Sequence, residues 1–261
     1  MAGRTFFGTI RIALLLAVLA FVALGAWLDR RRSTDWDAPL RVTVYPIAAG
    51  EDDAVRAHVA ALAAEDFDEL AAFFANEAGE HGLALEEPLR VRVSHATNSP
   101  PPLPADDAGV LGIAAWSLRL RYWAWRVAMD DPLPTPDVQV FALYHPADGT
   151  SAAPDSLGLS KGLVAIAQLY ADHDAHGSNQ LVIAHELLHT LGATDKYDRR
   201  TGQPLVPQGL GDPDQSPRYP QRRGEIMAGR IATGAASAVI PESLEAMRVG
   251  PETAREIGWQ P

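Results

Sequence analysis

SNQLVIAHELLHTLGATDKYD, residues Ser178–Asp198, is the stretch that decides the fold of the second half of the chain. It opens with polar residues that suit a helix start, and it reaches Gly192, which suits the left-handed position after a helix end. The pattern therefore predicts a short helix that ends at Gly192. Apolar residues surround its polar ones, so we expect the helix to be buried. These apolar residues are Leu181, Val182, Ile183, Leu187, Leu188 and Leu191.

Two histidines and a glutamate lie inside this apolar helix. His185 and His189 are four residues apart, so they share one helix face with Cβ atoms about 5–6 Å apart, and two imidazoles can close on one metal ion. Glu186 lies one step round the helix, where it can bond a metal-held water but is poorly placed as a ligand. Unpaired, the three groups would be costly to bury, and metal binding removes that cost. The alternative is that they form hydrogen bonds elsewhere.

A third ligand is expected just beyond the helix, because the turn at Gly192 delivers Asp195 six residues after His189. Zinc accepts carboxylate oxygen, and sites with two histidines and one carboxylate are catalytically competent. Asp195 as a surface turn acid is one alternative, and Asp198 as the ligand is another. The chain has no cysteine, so any metal must be held by histidines and carboxylates.

The segment His185–Asp195 resembles the signature of the metzincin zinc peptidases, H-E-x-x-H-x-x-G-x-x-H, in which some bacterial members carry Asp at the last position. This chain reads His-Glu-Leu-Leu-His-Thr-Leu-Gly-Ala-Thr-Asp, so it has Asp in place of the commoner third histidine. The resemblance implies a Zn²⁺ cofactor held by His185, His189 and Asp195. It also implies hydrolysis of peptide bonds, with Glu186 as general base.

Metzincins also place a methionine in a tight turn beneath the zinc. Met227 in EIMAG, residues Glu225–Gly229, is the best candidate for that residue, and the alternative is an ordinary core methionine. No tyrosine follows closely, so the extra tyrosine ligand of some metzincin families is not supported at this position. The resemblance covers Ser178–Arg230 closely and the upstream order of strands and helices loosely.

The rest of the chain predicts an α/β fold, because strand patterns alternate with helical ones. Strands are predicted at 41–47, 89–95, 138–145 and 162–170, and helices at 51–80, 109–129 and 250–259. Together with the resemblance, this predicts a metzincin-like twisted mixed sheet with long helices. The peptidase domain would span 41–261, with an N-terminal subdomain at 41–192 and a small C-terminal subdomain at 193–261.

The N-terminal region predicts a single transmembrane helix. Ile12–Leu28 carries no charge, and with the apolar residues before it the stretch is just long enough to cross a bilayer core of about 30 Å. We expect residues 1–32 to be an uncleaved anchor and 33–40 a linker, with a cleaved signal sequence as the alternative. Arginines flank the apolar run on both sides, so charge counting does not decide orientation. We expect the catalytic domain outside the cytoplasm.

Charge argues against nucleic acid as a partner. The net charge is −11, and the first 32 residues contribute +4, so the remainder carries −15. A body this acidic repels phosphate backbones. The expected partners are therefore a peptide or protein substrate and the membrane.

Other residues admit more than one interpretation. The loop residues Asp172, His173, Asp174 and His176 could form a second cation site or contact substrate, but a solvated loop is the commoner outcome. Tyr197 and Tyr219 could stabilise an oxyanion, although packing or surface roles are commoner. The alternative function is a membrane-tethered binding or regulatory module with a structural or vestigial zinc site. Structural zinc usually has four protein ligands, whereas this segment offers three.

Overall fold

The computed structural model describes residues 34–105, 109–147, 156–159 and 163–260. Its centre is a five-stranded sheet with the strand order β2-β1-β3-β5-β4. The strands are β1 (Leu40–Ala48), β2 (Leu89–Val93), β3 (Val138–His145), β4 (Leu157–Leu159) and β5 (Val164–Tyr170). Four strands run parallel, and the edge strand β4 is antiparallel to β5. The predicted α/β class with a mixed sheet is confirmed at this level.

The sheet is buried on both faces because its strands are almost continuously apolar, as parallel strands between helix layers usually are. In β1, Val42 and Val44 enter one core, while Tyr45 and Ile47 enter the core on the opposite face. This follows from the two-residue period of a strand. The core that contains Val42 and Val44 also contains residues of the helices that carry the candidate site.

Two helices follow β1 where the sequence predicted one. They are α1 (Asp53–Ala61) and α2 (Asp68–Glu80), with a 3-10 turn at Ala64–Phe67 between them. The prediction of a continuous helix over 51–80 is therefore wrong. Leu62 is extended and buried after α1, and the Asp66 carboxylate accepts a hydrogen bond from the Ala63 amide at 2.8 Å. This side-chain acceptor starts a new turn and competes with continuation of the first helix.

The helix predicted at 109–129 is present as α3 (Val110–Asp130), and it covers the face of the sheet opposite α1 and α2. Its inward side buries Leu120, Ala124 and Val127 against Phe141 and Ile166 of the sheet. The helix that carries the two histidines is α4 (His176–Leu191), which directly follows β5 and ends before Gly192 as predicted.

Beyond α4 the chain forms short elements. They are β6 (Gly224–Glu225), β7 (Ile231–Gly234), β8 (Ser237–Val239), β9 (Met247–Arg248) and α5 (Pro251–Glu256). The helix predicted over 250–259 is shorter than expected. The Trp259 amide donates back to the Ala254 carbonyl at 2.8 Å, which closes the helix end and places the Trp259 ring against Trp36.

Within the described ranges, no helix has the length and apolar character needed to span a bilayer. The predicted anchor at residues 1–32 lies outside the described residues.

Candidate metal centre

The turn after α4 positions the third candidate ligand. Gly192 has φ of +106°, a conformation that residues with a Cβ adopt only with strain. The Gly192 amide donates to the His189 carbonyl at 3.1 Å, and the Ala193 amide donates to the Leu188 carbonyl at 3.0 Å. The chain thereby reverses direction at the end of the helix, and Asp195 returns to the helix face that carries both histidines.

His185, His189 and Asp195 form a cluster whose possible ligand atoms all lie within 4.8 Å of one another. Asp195 Oδ1 lies 2.9 Å from His189 Nε2 and 3.4 Å from His185 Nε2. The imidazole rings are 4.7 Å apart and nearly perpendicular. A tetrahedral zinc ion with bonds of about 2.0–2.2 Å separates its ligand atoms by about 3.3–3.6 Å. The cluster is therefore of the right size to hold one metal ion.

Backbone carbonyls fix both imidazoles with Nε2 towards the cluster. His185 Nδ1 lies 3.0 Å from the Ile226 carbonyl oxygen, and His189 Nδ1 lies 2.9 Å from the Ala193 carbonyl oxygen. In neutral histidine each Nδ1 then donates its proton, which leaves Nε2 with a free lone pair. Outer partners of this kind are typical of metal-ligating histidines.

Two carboxylate oxygens in the centre fit a metal site because they are buried without a hydrogen bond. They are Asp195 Oδ1 and Glu186 Oε2. Buried polar atoms are normally satisfied, so two orphans in one place require an explanation. A cation beside Oδ1 and a water beside Oε2 would satisfy both atoms. The donor set of two imidazoles and one carboxylate is one that zinc accepts.

The second oxygen of Asp195 is held from outside the cluster. Arg199 donates to Asp195 Oδ2 at 2.8 Å, so Oδ1 is directed towards the histidines. Asp198, the competing candidate, has a different role. Its Oδ1 accepts from the amides of Arg200 and Thr201 at 2.8 and 3.0 Å, so Asp198 caps a turn. Among the described residues the metal-sized group contains Asp195 and not Asp198.

Without a metal, the charges of the cluster are coupled. Burial lowers the pKa of His185, but the contact with Asp195 and the charge of Glu186 outweigh burial, so the pKa is raised. Burial and the neighbouring His185 lower the pKa of His189. Two adjacent buried imidazolium ions would repel, so one shared positive charge is the favoured state. The His185 imidazole lowers the pKa of Asp195, against the effect of burial.

Glu186 is the buried carboxyl beside this cluster, with only 6% of its surface exposed. Burial is the main cause that raises the pKa of Glu186 to about 7, while the positive charge of His185 opposes the rise. A carboxyl with a pKa near neutrality can both accept and return a proton at physiological pH. Its position one residue from His185 therefore suits a general base.

Met227 lies in the turn that supports His185. The turn is a 3-10 segment at Ile226–Ala228, and Gly229 closes it with φ of +65°. Met227 is fully buried, and its carbonyl accepts from the Lys196 amide at 2.9 Å. The carbonyl of the preceding Ile226 is the partner of His185 Nδ1. The predicted turn methionine therefore lies in a segment bonded to both the helix and the loop of the cluster.

Glu225 organises this turn, a role that no local sequence pattern indicates. It is fully buried, and its carboxylate accepts from the Ala228 amide at 3.0 Å, the Gly250 amide at 3.2 Å and the Thr253 hydroxyl at 2.6 Å. Burial raises the pKa of Glu225 to about 6, although these hydrogen bonds favour the charged form. One side chain thus joins the turn to the start of α5.

A second buried charge anchors the loop that carries Asp195. Lys196 is 2% exposed, and its Nζ donates to both carboxylate oxygens of Glu256 at 2.9 Å. Glu256 also accepts from the amide and the hydroxyl of Thr194. Lys196 and Thr194 flank Asp195, so α5 holds the loop on both sides of the candidate ligand. The partner is 60 residues away, and no local pattern could have revealed it.

The other sequence candidates lie outside the cluster. Asp172, His173, Asp174 and His176 belong to no metal-sized group of three within the described parts of the chain. Asp172 instead accepts from the Asp174 amide at 3.1 Å, which is a turn contact. The Tyr197 ring lies 6.5 Å from the His185 ring, at the border of the centre.

Comparison with known proteins identified no related family model or curated protein.

Proposed function

We propose that this protein is a zinc-dependent endopeptidase of the metzincin type. The observation that carries the proposal is the convergence of two imidazole Nε2 atoms and one carboxylate oxygen beside the unpartnered carboxyl of Glu186. Three protein ligands leave a coordination position open, as in catalytic zinc sites. The spacing of His185, His189 and Asp195, together with the buried turn at Met227, supports the metzincin assignment.

In this proposal His185, His189 and Asp195 hold the metal, and Glu186 carries the proton. Zinc bound there would polarise a peptide carbonyl and lower the pKa of a water molecule to about 7. Glu186 accepts the proton of the attacking water and then donates it to the nitrogen of the leaving amine. In the metal-free protein, burial raises the pKa of Glu186, which favours a group that exchanges protons near neutral pH.

The edge of the sheet offers a place for an extended substrate. β4 is the terminal strand of the described sheet, and it contacts α4. An extended peptide can add to an exposed strand edge through main-chain hydrogen bonds. Such a peptide would run along the helix that carries both histidines.

The test is Glu186→Gln compared with wild type and with Glu245→Gln, an exposed glutamate distant in sequence from the cluster. Zinc content is measured by elemental analysis, and cleavage is measured on a peptide library. We expect all three proteins to bind one zinc, with cleavage lost only in Glu186→Gln. Cleavage by the Glu186→Gln variant would overturn the assignment of the base. Stoichiometric zinc without cleavage by wild type would instead favour a binding or regulatory module.

Location is a separate part of the proposal. The uncharged run at Ile12–Leu28 supports a single-pass membrane protein. We propose that its catalytic domain lies outside the cytoplasm. Protease protection of sealed vesicles, with an epitope tag on the catalytic domain, tests the orientation. Digestion of the tagged domain only by protease added to the cytoplasmic side would contradict the proposed orientation.

A further inference from the structure

The outer face of α3 is an apolar surface that the described part of the chain leaves exposed. Leu111, Leu118, Tyr122, Trp125 and Met129 are between 54% and 86% exposed. Their spacing of seven, four, three and four residues places them within about 60° of the helix circumference, at 100° per residue. They form one stripe about 27 Å long, directly opposite the residues that α3 buries in the core. We call these five residues the α3 stripe.

Single exposed apolar residues are ordinary, but a continuous stripe of five large ones is not. The residue types in the stripe also suit a membrane interface. Tyr122 and Trp125 lie side by side with ring centroids 5.8 Å apart, and both residue types favour the boundary between water and hydrocarbon. Leu111, Leu118 and Met129 supply flexible aliphatic groups at the ends and the middle. The α3 stripe therefore has the character of a surface that enters a membrane interface.

Arginines border the α3 stripe on both sides. On the 100° helical projection, Arg119 and Arg126 lie along one border and Arg121 lies along the other. Arg119 and Arg126 also line a groove with the hydroxyl-bearing residues Thr97 and Ser99. Arg126 pairs with Asp130 at 3.4 Å on the surface, and Asp130 is the only acidic residue in the helix. α3 is thus a cationic element in a body of charge −15.

The position of the arginines distinguishes a lipid surface from a second copy of the chain. If two copies of the chain packed with their α3 helices antiparallel, the border with Arg119 and Arg126 would face the same border of the other copy. In a parallel pair, that border would face Arg121 of the partner helix. Both arrangements oppose arginine to arginine, which is destabilising. Anionic phospholipid headgroups complement all three arginines at once.

We propose that the α3 stripe docks on the surface of a bilayer that contains anionic phospholipid. The five apolar side chains enter the headgroup boundary, while Arg119, Arg121 and Arg126 contact lipid phosphates. An amphipathic helix with aromatic and aliphatic residues on one face and flanking arginines binds membranes in this way. The contact is independent of the proposed peptidase chemistry. It is also additional to the predicted anchor, because it orients the folded domain rather than tethering it.

The lack of cysteine in the chain makes the test direct, because one introduced cysteine is a unique labelling site. Leu118→Cys in the full chain is labelled with an environment-sensitive fluorophore and reconstituted into vesicles. The matched control is Ala57→Cys, an exposed position in α1 on the opposite side of the sheet. Vesicles of phosphatidylcholine alone are compared with vesicles containing about one-third phosphatidylglycerol. The readouts are emission wavelength and quenching by aqueous acrylamide.

We expect the label at position 118 to shift to the blue and to be several-fold less quenched in the anionic vesicles, while the label at 57 stays accessible to water. Arg119→Gln combined with Arg126→Gln should bring the protection at 118 down towards the phosphatidylcholine level. Equal quenching at 118 and 57 in anionic vesicles would overturn the proposal. Protection that appears in detergent without lipid and grows with protein concentration would also overturn it, in favour of a second copy.

Discussion

His185 Nδ1 lies 3.0 Å from the carbonyl oxygen of Ile226, and this contact joins the histidine helix to the turn at Met227. The orientation of one candidate ligand therefore depends on a turn 41 residues further along the chain. Glu225 in turn holds that segment through the Ala228 amide and α5. We therefore expect the geometry of the candidate metal centre to be sensitive to Glu225, which lies outside the His185, His189 and Asp195 cluster.

Glu225→Gln tests this dependence. The amide group can accept through only one oxygen, so at least one buried donor loses its partner. We expect the free energy of unfolding to fall by about 1–3 kcal/mol. Zinc affinity should fall as well, because His185 loses its fixed orientation. Urea unfolding and zinc titration at pH 8 measure both effects, and Glu242→Gln is the matched exposed control. If the variant is destabilised but its zinc affinity is unchanged, the turn does not control the geometry of the site.

Comparison of two single variants, Asp195→Ala and Asp198→Ala, tests which aspartate is the third ligand. Loss of Asp195 should weaken zinc binding by more than the roughly 10–100-fold that follows loss of an outer partner. Asp198→Ala should leave zinc affinity within a few-fold of wild type, because its carboxylate caps the turn at Arg200 and Thr201. Competition with a chromophoric chelator gives both affinities. The reverse order of the two affinities would identify Asp198 as the ligand.

Gly192→Ala and Gly79→Ala should change stability in opposite directions. At φ of +106°, Gly192 cannot take a Cβ without strain, and we expect a loss of about 1–2 kcal/mol together with weaker zinc binding. Gly79 lies within α2 with open space where a Cβ would be placed, so alanine there should stabilise the protein by up to about 1 kcal/mol. Thermal unfolding of the metal-free proteins measures the stability change of each variant. Tolerance of alanine at 192 would show that the turn is not needed in its observed form.

Glu256→Gln should destabilise the protein in a pH-dependent manner. Burial opposes ionisation, but hydrogen bonds from Lys196 and Thr194 outweigh it and hold the pKa of Glu256 below its ordinary 4.5. A depressed pKa adds stability above about pH 4.5, and that stability is lost as pH falls through the folded-state pKa. We expect a deficit of about 2 kcal/mol at pH 7, shrinking towards zero in acid. A deficit that is constant from neutral to acid pH would contradict the ion pair.

Local patterns in the sequence predicted the elements that form the sheet and α4. Alternation of apolar residues located β1, β2 and β3, the continuous apolar run located β5, and Gly192 marked the end of α4. The break at Leu62–Ala63 was missed because it contains neither proline nor glycine. It depends on a hydrogen bond from Ala63 to the Asp66 side chain, for which helical periodicity carries no signal.

The residues that support the candidate metal centre could not be predicted in the same way. His185, His189 and Asp195 share one short motif, so their convergence follows from helix and turn geometry. Glu225, Lys196 and Glu256 act through partners 25 to 60 residues away. Glu225 and Glu256 lie in elements of two and six residues, and Lys196 lies in a loop. Such short elements have no periodicity to detect. The exposed stripe of α3 was also hidden, because the same helix has a second apolar face, which packs against the sheet.

The ion pair between Lys196 and Glu256 also sets an order of events during synthesis. Residues of α4 and Asp195 leave the ribosome before α5, and 60 residues at about 5–20 per second correspond to about 3–12 s. Through that interval the loop beside Asp195 lacks the carboxylate that neutralises Lys196. Glu225 lacks the Thr253 hydroxyl for the shorter time needed to add the 28 residues between them. A nascent chain therefore contains both histidines before the turn and the helix that support the cluster have been synthesised. The candidate metal centre is thus completed only after α5 has been synthesised, when the strands of the central sheet are already available.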